Sequence, residues 1–362
     1  MKILHVEGGK RLYGGAQQVL YLLEGLAARG HVNLLACPAG CALGEAAAPF
    51  AEGHGLPMHG DADLAMAWRL VRLIRSTRPD LVHLHSRIGA DVMGGIAARL
   101  TGTPVVHTRR VDNPEPPWLV ALKYRLHDRV VAISEGIGQV LLSEGLPAEK
   151  LRVVRSAVDW SRYQMPCERV TAAARLGIPT DALLVGVVAQ LIPRKGHRFL
   201  LRVLPDLAKA HPKLRVLIFG QGPLQAELEA EIAATGLAEL VRLVGFRHDL
   251  QQLLPCLDLL VHPATMEGLG VSLLQAASAG VPILASRAGG IPEAVREGVN
   301  GILVPPGDVP ALGAALGHLL ADTGLRRRLG EGGRDLMHRE FSIDAMVIGN
   351  LNIYRELLGG GG

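Results

Sequence analysis

The chain has 362 residues, enough for two domains with a buried core each. Apolar residues make up 49% and aromatic residues only 4%, so the cores must be aliphatic, and 44 glycines without a short period exclude a collagen-like chain. Residues 1–165 hold 19 Lys and Arg against 15 Asp and Glu while the remainder holds 19 of each, which points to an anionic partner for the first part: a phosphorylated ligand or an anionic membrane surface.

MKILHVEGG opens on an apolar run that soon reaches glycines, which predicts a first strand, Ile3–Val6, rather than a signal peptide. The loop GGKRLYGG follows, and Gly14–Gly15 starts a helix, Ala16–Ala28, in an arrangement ready for an anion. That loop does not fit G-x-G-x-x-G, and no acidic residue ends the second strand, Val32–Ala36, so a dinucleotide site is disfavoured. Asp61–Asp63 has the Asp-x-Asp look of a metal site, but it precedes a helix, Ala65–Thr77, which makes helix capping the better account. No other metal-ligand cluster is evident, so no metal is expected.

Within that helix Arg69, Arg72, Arg75 and Arg78 recur every three residues beside Trp68, Val71, Leu73 and Ile74. Packing on a sheet is the first reading, and a basic face against anionic lipid, extended by Trp118, Lys123, Tyr124 and Arg125, is the second. Strands Leu81–Leu84, Val105–His107 and Val130–Ile133 continue the series. A second series runs Leu184–Val188, Leu214–Phe219, Val241–Val244, Leu259–His262, Pro282–Ser286 and Ile302–Val304, with helices such as Pro223–Thr235 and Val271–Ala279 between. Strands apolar throughout and separated by helices imply parallel sheets covered on both faces. Two series predict two doubly wound α/β domains, 1–165 and 166–343, separated near Arg162–Arg169. An amphipathic segment at 344–358 comes after the second series and is free to cap either domain. No run of 18 apolar residues exists to span a membrane. The four cysteines are too scattered for a disulfide framework and form no C-x-x-C pair, which leaves a reducing cytosol as the default.

The run from His262 to Val295 carries the most chemistry. Gly268 and Gly270 let backbone approach a ligand, the helix that follows offers its N–H groups to a diphosphate, and Glu267 stands just before it. A glycine loop before a helix is by itself most often only a turn. In VVAQLIPRKGH, Arg194 and Lys195 follow a strand, placed either as a solvated basic turn or as a clamp on a departing diphosphate.

With Glu267, the turn Gly289-Gly290-x-x-Glu293 and GILVPPGD at Gly301–Asp308, the chain resembles the retaining family 4 glycosyltransferases. That resemblance implies a GT-B fold, two facing Rossmann-like domains with an interdomain cleft, and a last helix crossing back to the first domain. It implies an enzyme that moves a sugar from a nucleotide diphosphate donor (UDP, GDP or ADP) with retention, without cofactor. Catalytic roles fall on His107, Glu267 and Lys195; donor contacts fall on Gly15, Gln190, Arg194, Lys195, Phe246, Gly268, Leu269, Gly270, Val271 and Gln275. Acceptor contacts fall on Tyr13, Gly14, His85, Arg87 and Arg109. The similarity of HLHSR and HTRRVDNPE to bacterial surface-glycan and lipopolysaccharide-core enzymes implies a glycan or lipid-linked acceptor. It also implies a cytoplasmic protein at the inner face of the membrane, with no nucleic-acid partner. Gln17, Gln190 and Gln275 stand where the family has charge, which opens the alternative of an impaired, binding-only relative.

Overall fold

The structure is a computed structural model that describes every residue except 13, 61, 62, 86–88, 112, 114 and 360–362. Two compact units are present: Met1–Ala157 with Ile343–Gly362, and Val158–Ser342. The division thus falls at Ala157/Val158 rather than at 165/166.

The first unit is built on seven parallel strands: β1 Lys2–Val6, β2 Val32–Cys37, β3 Glu52–Gly55, β4 Leu81–Leu84, β5 Val105–Arg109, β6 Arg129–Ala132 and β7 Leu151–Val153. Their order is β3-β2-β1-β4-β5-β6-β7. Central strands such as β4 are buried at every position, because helices cover both faces. Sequence reasoning missed β3 and β7, the two edge strands. The side chains of β3 are mostly exposed, so no apolar run marks it.

The last helix, Ile343–Leu357, belongs to this unit, and its Met346, Val347, Leu351, Ile353 and Tyr354 pack among Ile3, Tyr21, Leu22 and Leu26. Its Val347 sits so close to Gly25, in the helix Gly14–Ala27, that a Cβ there would lie 2.4 Å from a methyl group. The tyrosine end of the helix bonds into the sheet, through Tyr354 Oη and His83 Nδ1 at 2.6 Å.

The second unit has six parallel strands: β8 Leu183–Val188, β9 Leu214–Phe219, β10 Val241–Gly245, β11 Leu259–His262, β12 Ile283–Ser286 and β13 Gly301–Val304. Their order β10-β9-β8-β11-β12-β13 reverses direction between β8 and β11. Leucine and valine from β8, β9 and β11 and from the helices His197–Ala210 and Val309–Ala321 fill one continuous core.

One expectation is overturned. Cys167 and Cys256 form a disulfide although they lie 89 positions apart, because the segment after the unit boundary folds back on the turn that precedes β11. Cys37 and Cys41 remain as buried thiols, and Cys41 Sγ caps the helix Ala42–Ala47 by accepting from Gly44 N at 3.3 Å. The capping reading of Asp63 agrees with its bond from Met66 N at 3.1 Å; positions 61 and 62 lie outside the described residues.

Candidate active site

In an open parallel sheet, ligands bind beyond the carboxyl ends of the strands where the strand order reverses. In the second unit that point lies between β8 and β11, and the loops after these two strands carry Gln190–Lys195 and Pro263–Gly270. They are laced together, with Thr265 N donating to Arg194 O at 2.8 Å. Gly196, at φ +69°, lies against Pro263, where a Cβ would come within 2.0 Å of the carbonyl oxygen, so glycine is obligatory there.

Lys195 and Glu267 meet across this junction. Glu267 Oε2 accepts from Lys195 Nζ and from His262 Nε2, the latter at 3.0 Å, while Oε1 accepts from Gly268 N at 3.2 Å. Burial alone would raise the Glu267 carboxyl. The hydrogen bond and charge of His262, with those of Lys195, outweigh burial and bring it down to about 2. Glu267 is therefore an acceptor-only carboxylate, so the hydrogen between it and His262 belongs to Nε2.

A second glycine fixes its backbone. Gly289, at φ +52°, has room for no Cβ, which would lie 2.1 Å from Glu267 O, and Gly290 N donates to that same oxygen at 3.0 Å. The helix Val271–Ser278 starts beyond, capped by Gly270, and its first N–H groups have no partner within the helix. Gln275 is half-buried one turn along this helix, and Arg194 is half-buried beside Lys195. Leu269 is buried, so only its backbone can face a ligand, and Gln190 is exposed. Phe246, next after β10, is 49% exposed and lies edge-on to His248 at 4.8 Å.

The first unit departs from expectation. His107 does not end its strand; β5 continues to Arg109, and the imidazole is wholly buried against His127 and Tyr124. Burial holds it well below the ordinary range, hence neutral. Arg109 is equally buried, paired with Glu115 at 3.0 Å and donating to Val111 O at 2.8 Å, so it serves the interior of the unit and not an acceptor. Glu115 is shared with Lys123 at 2.6 Å.

His85 is tied to His5 at 2.9 Å and is not presented to a ligand. With His83 these two bring three buried ring nitrogens within 4.8 Å, a cluster that no sequence spacing announces. Burial first, and the nearby Arg110 guanidinium as well, keep His83 and His85 neutral. Tyr13 and Arg87 lie outside the described residues. Gly14 and Gly15 open their helix, and a Cβ on Gly15 would lie 3.4 Å from Arg110 Cδ. Among the described residues, Arg110 Nε is buried without a hydrogen-bond partner. Burial pushes this group down to about 10, and the Glu7 carboxylate opposes that.

Residues 13–162 match Glycosyltransferase Family 4, and residues 169–336 match Glycosyl transferases group 1. A D-inositol 3-phosphate glycosyltransferase of Streptomyces bingchenggensis is 30% identical over 78% of this chain and 67% of its own. This chain belongs to the family 4, group 1 glycosyltransferases. A 2-deoxystreptamine glucosyltransferase of Streptomyces kanamyceticus is 29% identical over 80% of each chain. The crystal structure of Anabaena Alr3699/HepE in complex with UDP superposes with a TM-score of 0.86 at 23% identity, covering 99% of this chain and 100% of that one. The two Rossmann-like sheets of this glycosyltransferase are those of the GT-B fold.

Sequence reasoning about this glycosyltransferase named Lys195 and Glu267 but gave no role to His262, which holds the same carboxylate oxygen. The available signal was a histidine at the carboxyl end of a strand five residues before the glutamate. It also gave the acceptor to Arg109, which is buried against Glu115, whereas among the described residues the neighbouring Arg110 has a buried Nε without a hydrogen-bond partner.

Proposed function

We propose that this glycosyltransferase moves a sugar from a nucleotide diphosphate donor to a glycan or lipid-linked acceptor, with retention of configuration and without a metal. The observation that carries the reading is the buried Lys195–Glu267 pair at the β8/β11 reversal, immediately before a helix N-terminus. Lys195, Arg194 and the N–H groups at Gly270–Val271 would stabilise the departing diphosphate, where charge grows in the transition state. Glu267 would hold sugar hydroxyls, Gln275 the ribose, and the backbone around Phe246 the base. On a retaining path, the acceptor hydroxyl attacks on the face that the diphosphate leaves, and the phosphate takes its proton.

HepE was crystallised with UDP, which puts uridine donors first among those to test. On the acceptor side, Arg110 beside the Gly14–Gly15 helix start suits an anionic group, and the Streptomyces relative is named for an inositol phosphate. A surface-glycan or lipopolysaccharide acceptor fits this basic half. Trp68, 63% exposed on the helix that carries the exposed Arg72 and Arg75, and Trp118, 70% exposed, would rest on anionic lipid, while Lys123 and Tyr124 are buried and do not extend that face.

Hydrolysis and transfer across UDP-, GDP- and ADP-sugars, without added metal, test the reading on wild type, Glu267→Ala and Lys195→Ala. Turnover of one donor that both substitutions abolish is expected. Nucleotide binding with no turnover on any mixed glycan acceptor would replace it with the binding-only alternative.

A further inference from the structure

His262 touches no open surface: its side chain is 1% exposed, at the carboxyl end of β11, while Glu267 and Lys195 retain 14% and 10%. Among the described residues its one hydrogen bond is to Glu267 Oε2, and its Nδ1 is buried without a partner. Beside it, His197 is pushed down to about 4, by burial first and then by the charges of His262 and Lys195, so it stays neutral.

A carboxylate oxygen has two in-plane acceptor positions, and both positions on Oε2 are filled, one by Lys195 and one by His262. Under the glycosyl-transfer reading Lys195 has a second claim on it, since a doubly charged diphosphate attracts the ammonium group more strongly than one carboxylate does. When Lys195 turns to the phosphates, one position on Oε2 falls vacant. It is then open to a sugar hydroxyl, while His262, anchored in a buried strand, cannot follow the lysine.

We propose that His262 is the positioning residue for Glu267, holding the carboxylate in place while Lys195 passes from Glu267 to the donor's diphosphate and a sugar hydroxyl takes the site that Lys195 leaves. This rests on the glycosyl-transfer reading and extends it: the two ends of the donor are recognised in a coupled way, and His262 serves only the sugar end.

The test compares wild type with His262→Ala and His262→Gln, whose amide N–H can reach the place of Nε2. The probes are whichever of UDP, GDP or ADP the wild type binds and the matching sugar nucleotide. His262→Ala is expected to lower kcat on the order of 10- to 100-fold, as a displaced reacting group does. The Kd for the bare nucleoside diphosphate should stay within about twofold, a free-energy change under about 0.4 kcal/mol. His262→Gln should recover most of the loss.

Unchanged kcat in His262→Ala would overturn the proposal. So would a Kd for the bare diphosphate that rises in step with the sugar-nucleotide KM, or a glutamine variant that unfolds like wild type yet is as slow as the alanine variant. A readout independent of turnover is the Nε2 proton of His262, seen in ¹⁵N-histidine spectra and identified by its loss in His262→Gln. It should persist when the nucleotide is added, and its disappearance on addition would refute the proposal. A wild type that binds nucleotide and keeps that proton but transfers no sugar would count against glycosyl transfer and the proposal with it, whereas a wild type that transfers sugar but loses that proton would count against the positioning role alone.

Discussion

The depressed Glu267 carboxyl links the site to stability. Its value falls from 4.5 in an ordinary glutamate to about 2 in the folded chain, so the linked stability is full above about pH 4.5 and is lost as the pH falls through about 2. The drop corresponds to roughly 3 kcal/mol for a group this well buried. Lys195→Met removes part of the depression. In urea unfolding, the gap between wild type and this variant is expected to stay level from about pH 8 to 5 and to narrow below that. A gap that stays constant down to about pH 3 would show that Lys195 does not hold the carboxylate. Motif spacing named Lys195, Glu267 and Gly289 along the chain, and the fold brings these three together. His262 was not legible, since its role exists only once the loop after β11 doubles back. Arg109, given to the acceptor by resemblance, is buried instead, because β5 runs past the expected end at His107 and carries it into the interior of the unit.

At the level of elements, the parallel strands of both sheets could be read from their unbroken apolar runs. β3 and β7, the edges of the first sheet, could not, because they are short and exposed or half-buried and carry no such run, whereas β10 and β13, the edges of the second sheet, could. The disulfide escaped for a related reason: sequence spacing has no bearing on a contact made by chain return. Cys167–Cys256 closes a loop of 89 residues, which in the chain-entropy account stabilises the second unit by about 4–5 kcal/mol. Cys167→Ser should lower the denaturant midpoint of that unit, and a thiol reductant should have the same effect on wild type while leaving Cys167→Ser unmoved. Identical midpoints with and without reductant would show that the bond contributes nothing to the folded chain.

For the molecule as a whole, the last helix completes the first unit. Deleting residues from Ile343 onward would bare Ile3, Tyr21, Leu22 and Leu26 and leave His83 without Tyr354. Hydrogen exchange on the truncated chain should show protection lost in β1 and β4 but kept in β8 and β11. Equal protection in both sheets would mean that the helix is dispensable. The same arrangement has a consequence for synthesis. A ribosome must make the whole of Val158–Ser342 before the helix that closes the first unit emerges, a delay of roughly 10–40 s at about 5–20 residues per second. Through that interval the earlier-made half waits with its apolar face open, so the half made later, whose chain is continuous, is the first able to reach its finished form in the cell.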